Sequence, residues 1–293
     1  MSNLDLRPLS IGELLDRTFS LYRRNFLLFI GIAAIPHLLV LAVKLAQVAV
    51  MPVAGKVAAQ PPAEELQAAS RSFVAGNPIA FAAFALLGVV IYLIAILFTQ
   101  GGTVFAVSEL YLGRATTIGQ SFSRAKGELG TLFGVLFLNG LVTLVSFLLL
   151  IIPGIYMMCR LCVAVPAALL ENLGPRDSLE RSFALTKDNA GRAFLIYLLY
   201  FVILYAAVAL FAMPFAIGVG VSQNDPVMVR TWTALSEVGS FAAEVLITPI
   251  LTIGMAIFYF DLRVRKEGFD LQLMMNPLAG GIPAPRSATG LLT

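Results

Sequence analysis

Residues 79–107 read IAFAAFALLGVVIYLIAILFTQGGTVFAV, a run without one charged side chain. A helix that crosses a bilayer needs about 20 mostly apolar residues, so this run is long enough to cross and to tilt. Five further runs of the same kind surround it, at 26–50, 131–152, 155–170, 193–214 and 238–260. Only helices or closed barrels satisfy backbone polar groups in hydrocarbon, and apolar runs of this length select helices. The expected fold class is therefore an all-α membrane protein with six transmembrane helices.

Composition agrees. The chain is 59% hydrophobic and 13% charged, with a mean hydropathy of +0.88, whereas soluble domains are about one quarter charged. Six spans and their connections use nearly all of the 293 residues, so we expect one membrane domain over 1–271 and a disordered cytoplasmic tail at 272–293, rich in Pro and Gly. The net charge of +3 is small. No basic patch is interleaved with aromatics, so no nucleic-acid partner is expected. The first run is much longer than the roughly 7–15 apolar residues of a signal peptide, and Asp5, Glu13 and Asp16 precede it. It reads as a retained span.

Lys and Arg in the connections set orientation. Arg7, Arg17, Arg23 and Arg24 precede the first run; Arg114, Arg124 and Lys126 follow the second. Arg176, Arg181, Lys187 and Arg192 follow the fourth, and Arg263, Arg265, Lys266 and Arg286 follow the sixth. The alternate connections hold only Lys56, Arg71 and Arg230. Both termini are expected in the cytoplasm. On the other side, Pro61-Pro62 followed by Glu64 and Glu65 is a helix-opening signal, and it predicts a short surface helix reaching Phe73.

An internal repeat lies in the basic connections. Leu15-Asp16-Arg17-Thr18-Phe19-Ser20-Leu21-Tyr22-Arg23 matches Leu179-Glu180-Arg181-Ser182-Phe183-Ala184-Leu185-Thr186-Lys187, and Ile118-Gly119-Gln120-Ser121-Phe122-Ser123-Arg124 is a weaker third copy. The first copy is amphipathic, with Ile11, Leu14, Leu15, Thr18, Leu21 and Tyr22 at three- and four-residue steps. Each copy precedes a span. We expect three pseudo-repeated units, each a cytoplasmic amphipathic helix plus a helical hairpin. The amphipathic helices are either plain elbows, a platform holding anionic headgroups through Arg17, Arg124 and Arg181, or a docking face for a cytoplasmic protein.

Charges inside the runs narrow the candidate sites. Burying one in the centre of a span costs about 2.5–3.5 kcal/mol. Arg160, Glu244 and Lys44 are each read as lying in the outer half of a span, with Arg160 and Glu244 pairing. The set is either a structural ion pair or the lining of a polar cavity for a headgroup or small anion. Pro153-Gly154 is expected to hinge spans three and four, and Pro36, Pro166 and Pro249 to kink their helices. Cys159 and Cys162 have C-x-x-C spacing without a second pair, and His37 is the single histidine. Both features read as packing, so no metal and no cofactor is expected.

At Ile151-Ile152-Pro153-Gly154-Ile155-Tyr156, with Arg160, Pro166, Glu171 and Ser178-Leu179-Glu180-Arg181-Ser182-Phe183-Ala184-Leu185-Thr186 downstream, the chain resembles a bacterial family. This is the membrane domain attached to some glycerophosphodiester phosphodiesterases and also found alone. The opening Leu6–Asp16 and the closing Tyr259–Asp270 look similar to stand-alone members. The resemblance implies a multi-pass protein of the bacterial cytoplasmic (inner) membrane. In that family the chemistry belongs to a separate soluble barrel with paired histidines and metal-binding acids. This chain has only His37, so phosphodiesterase activity, and enzymatic activity in general, is not expected. A lipid-interacting or partner-scaffolding module is the leading expectation. The alternative is a transporter or exporter of a lipid-like or small anionic solute.

Overall fold

The computed structural model describes residues 7–50, 78–223 and 225–268. The surface helix expected near 61–73 and the tail at 272–293 lie outside the described residues. All regular elements among them are helices. In order they are α1 (Ile11–Arg24), α2 (Phe26–Val50), α3 (Pro78–Tyr111), α4 (Ile118–Gly127), α5 (Leu129–Leu149) and α6 (Ile151–Arg160). There follow α7 (Ala164–Glu171), α8 (Pro175–Thr186), α9 (Ala190–Phe211), α10 (Met213–Val221) and α11 (Pro226–Glu267).

Six stretches are long and apolar enough to cross a bilayer: α2, α3, α5, α6 with α7, α9 and α11. Leu27, Leu148, Ile152, Leu210 and Val221 are each largely exposed. Contiguous apolar exposure on this scale marks surface that meets something other than water, and here that is lipid. The chain is a multi-pass membrane protein.

Helix lengths depart from the apolar runs that announced them. The sixth run covers 238–260, yet α11 has 42 residues, about 63 Å at 1.5 Å per residue. Hydropathy marks only the immersed part, and the helix continues through Arg230, Glu237 and 261–267 because charged residues are good helix formers. The fifth run ends at Pro214. In the structure α9 stops at Phe211 and α10 restarts at Met213, with Pro214 in the first turn, where a missing N–H costs nothing.

Span four is not one helix. α6 stops at Arg160, and α7 resumes at Ala164. Pro166 explains the break, since it offers no N–H to the Cys162 carbonyl and its ring crowds that oxygen. Lying in the first turn of α7, it leaves α7 itself intact. Pro36 and Pro249 instead remain within continuous helices. The expected hinge also moves. The turn between α5 and α6 is Leu150, in extended conformation at φ −164, ψ 153, and Pro153 and Gly154 belong to the first turn after it. Gly154 matters for another reason: a Cβ there would lie 2.4 Å from the Phe147 ring, so its absence lets α6 close against α5.

The chain divides into two compact units. The first draws on Met1–Ile32, Leu97–Phe201 and Pro249–Thr293, the second on Ala33–Ile96 and Val202–Thr248. Helices α2, α3, α9 and α11 contribute to both, and α11 passes from one to the other at Pro249. The first unit holds α1, α4 and α8 and a core that includes Phe29, Ile32, Val104, Leu132, Leu161 and Phe258. Tyr111 stacks on Phe260 there at 4.6 Å. In the second, Gly239 faces the backbone of α9, where a Cβ would meet the Phe211 carbonyl oxygen at 2.0 Å.

Candidate functional site: buried ion clusters and a basic cleft

The amphipathic segments become helices through their caps. Ser10 and Glu13 form a reciprocal capping box at the start of α1, and Thr117 and Gln120 form another at the start of α4. Each box satisfies two backbone donors that a helix start would leave unpaired. Backbone and side-chain hydrogen bonds from Ser10, then Arg7, lower the Glu13 carboxyl to about 2. α8 opens instead with Pro175 at its first position, followed by Asp177.

The end of span four meets α8 and α11 in a buried ion cluster. The Glu171 side chain is fully buried. It accepts from Arg181 Nε at 2.8 Å and Arg181 Nη2 at 2.9 Å, and from the Tyr259 hydroxyl at 2.7 Å. Arg181 also pairs with Glu267. Arg263, completely buried, donates from Nε to Glu267 at 3.0 Å. Two carboxylates thus face two guanidiniums, which is the balance a buried charge set needs. Burial opposes the Arg181 charge, but the hydrogen bonds it donates to Glu267 and Glu171 outweigh it and raise the pKa.

A second cluster ties the chain start to α9 and α11. Asp261 accepts from the Leu9 amide at 2.7 Å, from Arg192 at 2.7 Å and from Arg265 at 3.0 Å. Arg192 and Arg265 both donate to the Leu9 carbonyl as well. The segment before α1 is thereby fixed by side chains far away in sequence.

A third set is open. α3 ends in a Schellman turn: Gly113, at φ +74, donates to the Leu110 carbonyl, and Arg114 donates from its backbone to Glu109 at 2.9 Å. A residue other than glycine would be strained at that φ. The turn brings the Arg114 side chain to 3.6 Å from Glu109, which also pairs with Arg124 of α4. Around them is a cleft of about 430 Å³ lined by Phe105, Thr116, Gln120 and Ser123.

Among the residues singled out from sequence, Arg181 pairs with Glu171 and Glu267. Arg124 is half exposed despite its pair with Glu109. The Arg17 guanidinium donates to the Tyr111 hydroxyl at 3.5 Å. Arg160 is expected in the outer half of its span; its carbonyl accepts from Ser182 at 2.8 Å and Thr186 at 2.9 Å, both on α8. The helix break frees that carbonyl, and the two hydroxyls claim it. The neighbouring Leu161 carbonyl accepts from Asn139 on α5. The Arg160 guanidinium lies 5.0 Å from the Phe183 ring and 5.8 Å from Tyr156, and its buried Nε has no hydrogen-bond partner among the described residues. Arg160 belongs to the first unit and Glu244 to the second. In the second unit Lys44 pairs with Glu237 at 3.1 Å.

Cys159 and Cys162 are free thiols in the core. His37 is buried with Nδ1 2.9 Å from the Ala33 carbonyl oxygen of its own helix. Among the described residues no cluster of His, Cys, Asp and Glu could hold a metal ion.

Sequence reasoning missed Glu109, Arg192, Asp261, Arg263 and Glu267 as site residues. The Asp261/Arg265 and Arg263/Glu267 spacing of four was a visible helical pairing signal, but it spoke for local pairs only. Comparison with protein-family models, curated proteins and solved structures yields no match to this chain.

Proposed function

We propose that this protein is a non-catalytic, lipid-interacting or partner-scaffolding module of the bacterial inner membrane, a stand-alone relative of the phosphodiesterase membrane domain. Its three repeated units, each a basic amphipathic helix with a hairpin, present α1, α4 and α8 to the cytoplasmic leaflet, and both termini are cytoplasmic.

The observation that carries this reading is a shared buried register. Aligned by the repeat, Leu14, Ser121 and Ser178 occupy one buried position, and Thr18, Ala125 and Ser182 the next, four residues on. Each copy turns the same stripe inward. Arg17, Arg124 and Arg181 occupy one further position, and they reach Tyr111, Glu109 and Glu171, all at or near the ends of spans. Anchored this way, the helices hold their remaining basic side chains at a fixed height, where each is worth about 1 kcal/mol against an anionic surface.

Reporter fusions and lipid retention test the reading together. Fusions after residues 127, 187 and 268 should report cytoplasm, and native mass spectrometry in mild detergent should find retained anionic lipid. An external tail, or protein free of lipid, would refute it.

One observation favours transport as a second reading. The Arg160 guanidinium stands beside a broken span with aromatic rings and in no ion pair among the described residues, as an anion-binding group would. Under transport, Arg160→Met abolishes flux of an anionic solute at normal expression. Under scaffolding it leaves lipid retention intact.

A further inference from the structure

We propose that the cleft between the end of α3 and the start of α4 binds a phosphate-bearing anion. This deepens the lipid-interacting reading and rests on it. Two guanidiniums here pair with Glu109. The Glu109 side chain is only 17% exposed, while Arg114 and Arg124 are 47% and 53% exposed. An incoming anion therefore meets the guanidiniums first and the recessed carboxylate last. The arginine forks supply several donors in planar geometry, which suits phosphate oxygens. Thr116 and Ser123 add hydroxyls and Gln120 an amide, while Phe105 lies beneath the Arg124 guanidinium at 5.6 Å. The two other clusters are closed by comparison, since Glu171, Arg263 and Asp261 are buried.

The positions are built rather than incidental. Gly113 and the Schellman turn set Arg114, and the Thr117–Gln120 capping box sets the first turn of α4. Such chemistry fits an anionic headgroup and a free phosphate ester alike, and the volume of about 430 Å³ admits either.

The test uses the full chain in mild detergent. Phosphatidylglycerol and diacylglycerol are offered separately and retention is read by native mass spectrometry; in a second arm glycerol 3-phosphate is titrated alone and as a competitor. The informative variant is Gln120→Glu. It keeps the acceptor of the capping box, so α4 still forms, but places a second carboxylate in the cleft. Arg114→Gln is the companion variant in the preceding loop. Wild type should retain phosphatidylglycerol and not diacylglycerol, and each variant should retain about tenfold less. Competition by millimolar glycerol 3-phosphate would identify a soluble ester as the ligand; no competition would identify the lipid. Equal retention of phosphatidylglycerol in wild type and both variants overturns the cleft and leaves lipid binding elsewhere standing. Glycerol 3-phosphate binding that falls in Gln120→Glu, without retained lipid, supports the cleft and ends the lipid reading. No binding of either probe ends both.

Discussion

Glu171→Gln is the sharpest test of the buried cluster. The substitution keeps the shape and one acceptor oxygen, so what it removes is the charge. Glu171 is fully buried and receives Arg181 twice and Tyr259 once, with Arg263 Nε at 3.8 Å. With the Glu171 charge gone, Glu267 faces both Arg181 and Arg263, one carboxylate against two guanidiniums. Breaking a buried pair on one side costs about 3–5 kcal/mol. At roughly 2–4 °C per kcal/mol, the melting temperature of the full chain in detergent should fall by roughly 6–20 °C. Removing a cation as well, in Glu171→Gln with Arg263→Met, restores the balance of one acid to one base. The double variant should recover at least about 2 kcal/mol over Glu171→Gln, a coupling typical of groups in one network. Thermal melting followed by helical circular dichroism reads both quantities. A single variant within about 1 kcal/mol of wild type, or a double variant no better than the worse single, would refute a desolvated, charge-balanced cluster.

Other consequences can be checked in the same preparation. Gly154→Ala puts a methyl against the Phe147 ring and should destabilise by about 1–3 kcal/mol; the cost should shrink in a Phe147→Leu background, and equal costs in both would mean the hairpin does not close there. Ser182→Ala with Thr186→Val strips both hydroxyls from the Arg160 carbonyl and should cost about 1–3 kcal/mol, whereas an unchanged melting temperature would show that carbonyl satisfied another way. The Glu13 carboxyl is lowered from 4.5 to about 2, so its contribution to the α1 cap is complete above about pH 4.5 and disappears as pH falls toward 2. Carbon-detected NMR of the Glu13 carboxyl should show a midpoint near 2; a midpoint at the ordinary 4.5 would remove the capping box from the folded state.

The sequence by itself determined the helical class and the candidate spans. Both are local: about 20 apolar residues announce a span wherever they are placed. Repeat matching likewise pointed to Arg17, Arg124 and Arg181 before any of them had a partner. Pro166 was legible as an irregularity, though not as a complete break, because whether a proline bends or interrupts a helix depends on what donates to the freed carbonyls. Here Ser182, Thr186 and Asn139 do so from α8 and α5. Tertiary structure alone decided which charges meet. Asp261 finds Leu9 across 252 positions and Tyr259 finds Glu171 across 88, and no pattern along the chain encodes such a distance. It also decided that Arg181 is enclosed while Arg124 stays open, although the two occupy one repeat position. Burial belongs to the packed unit, and the same residue type is enclosed or left open according to what the packing brings beside it.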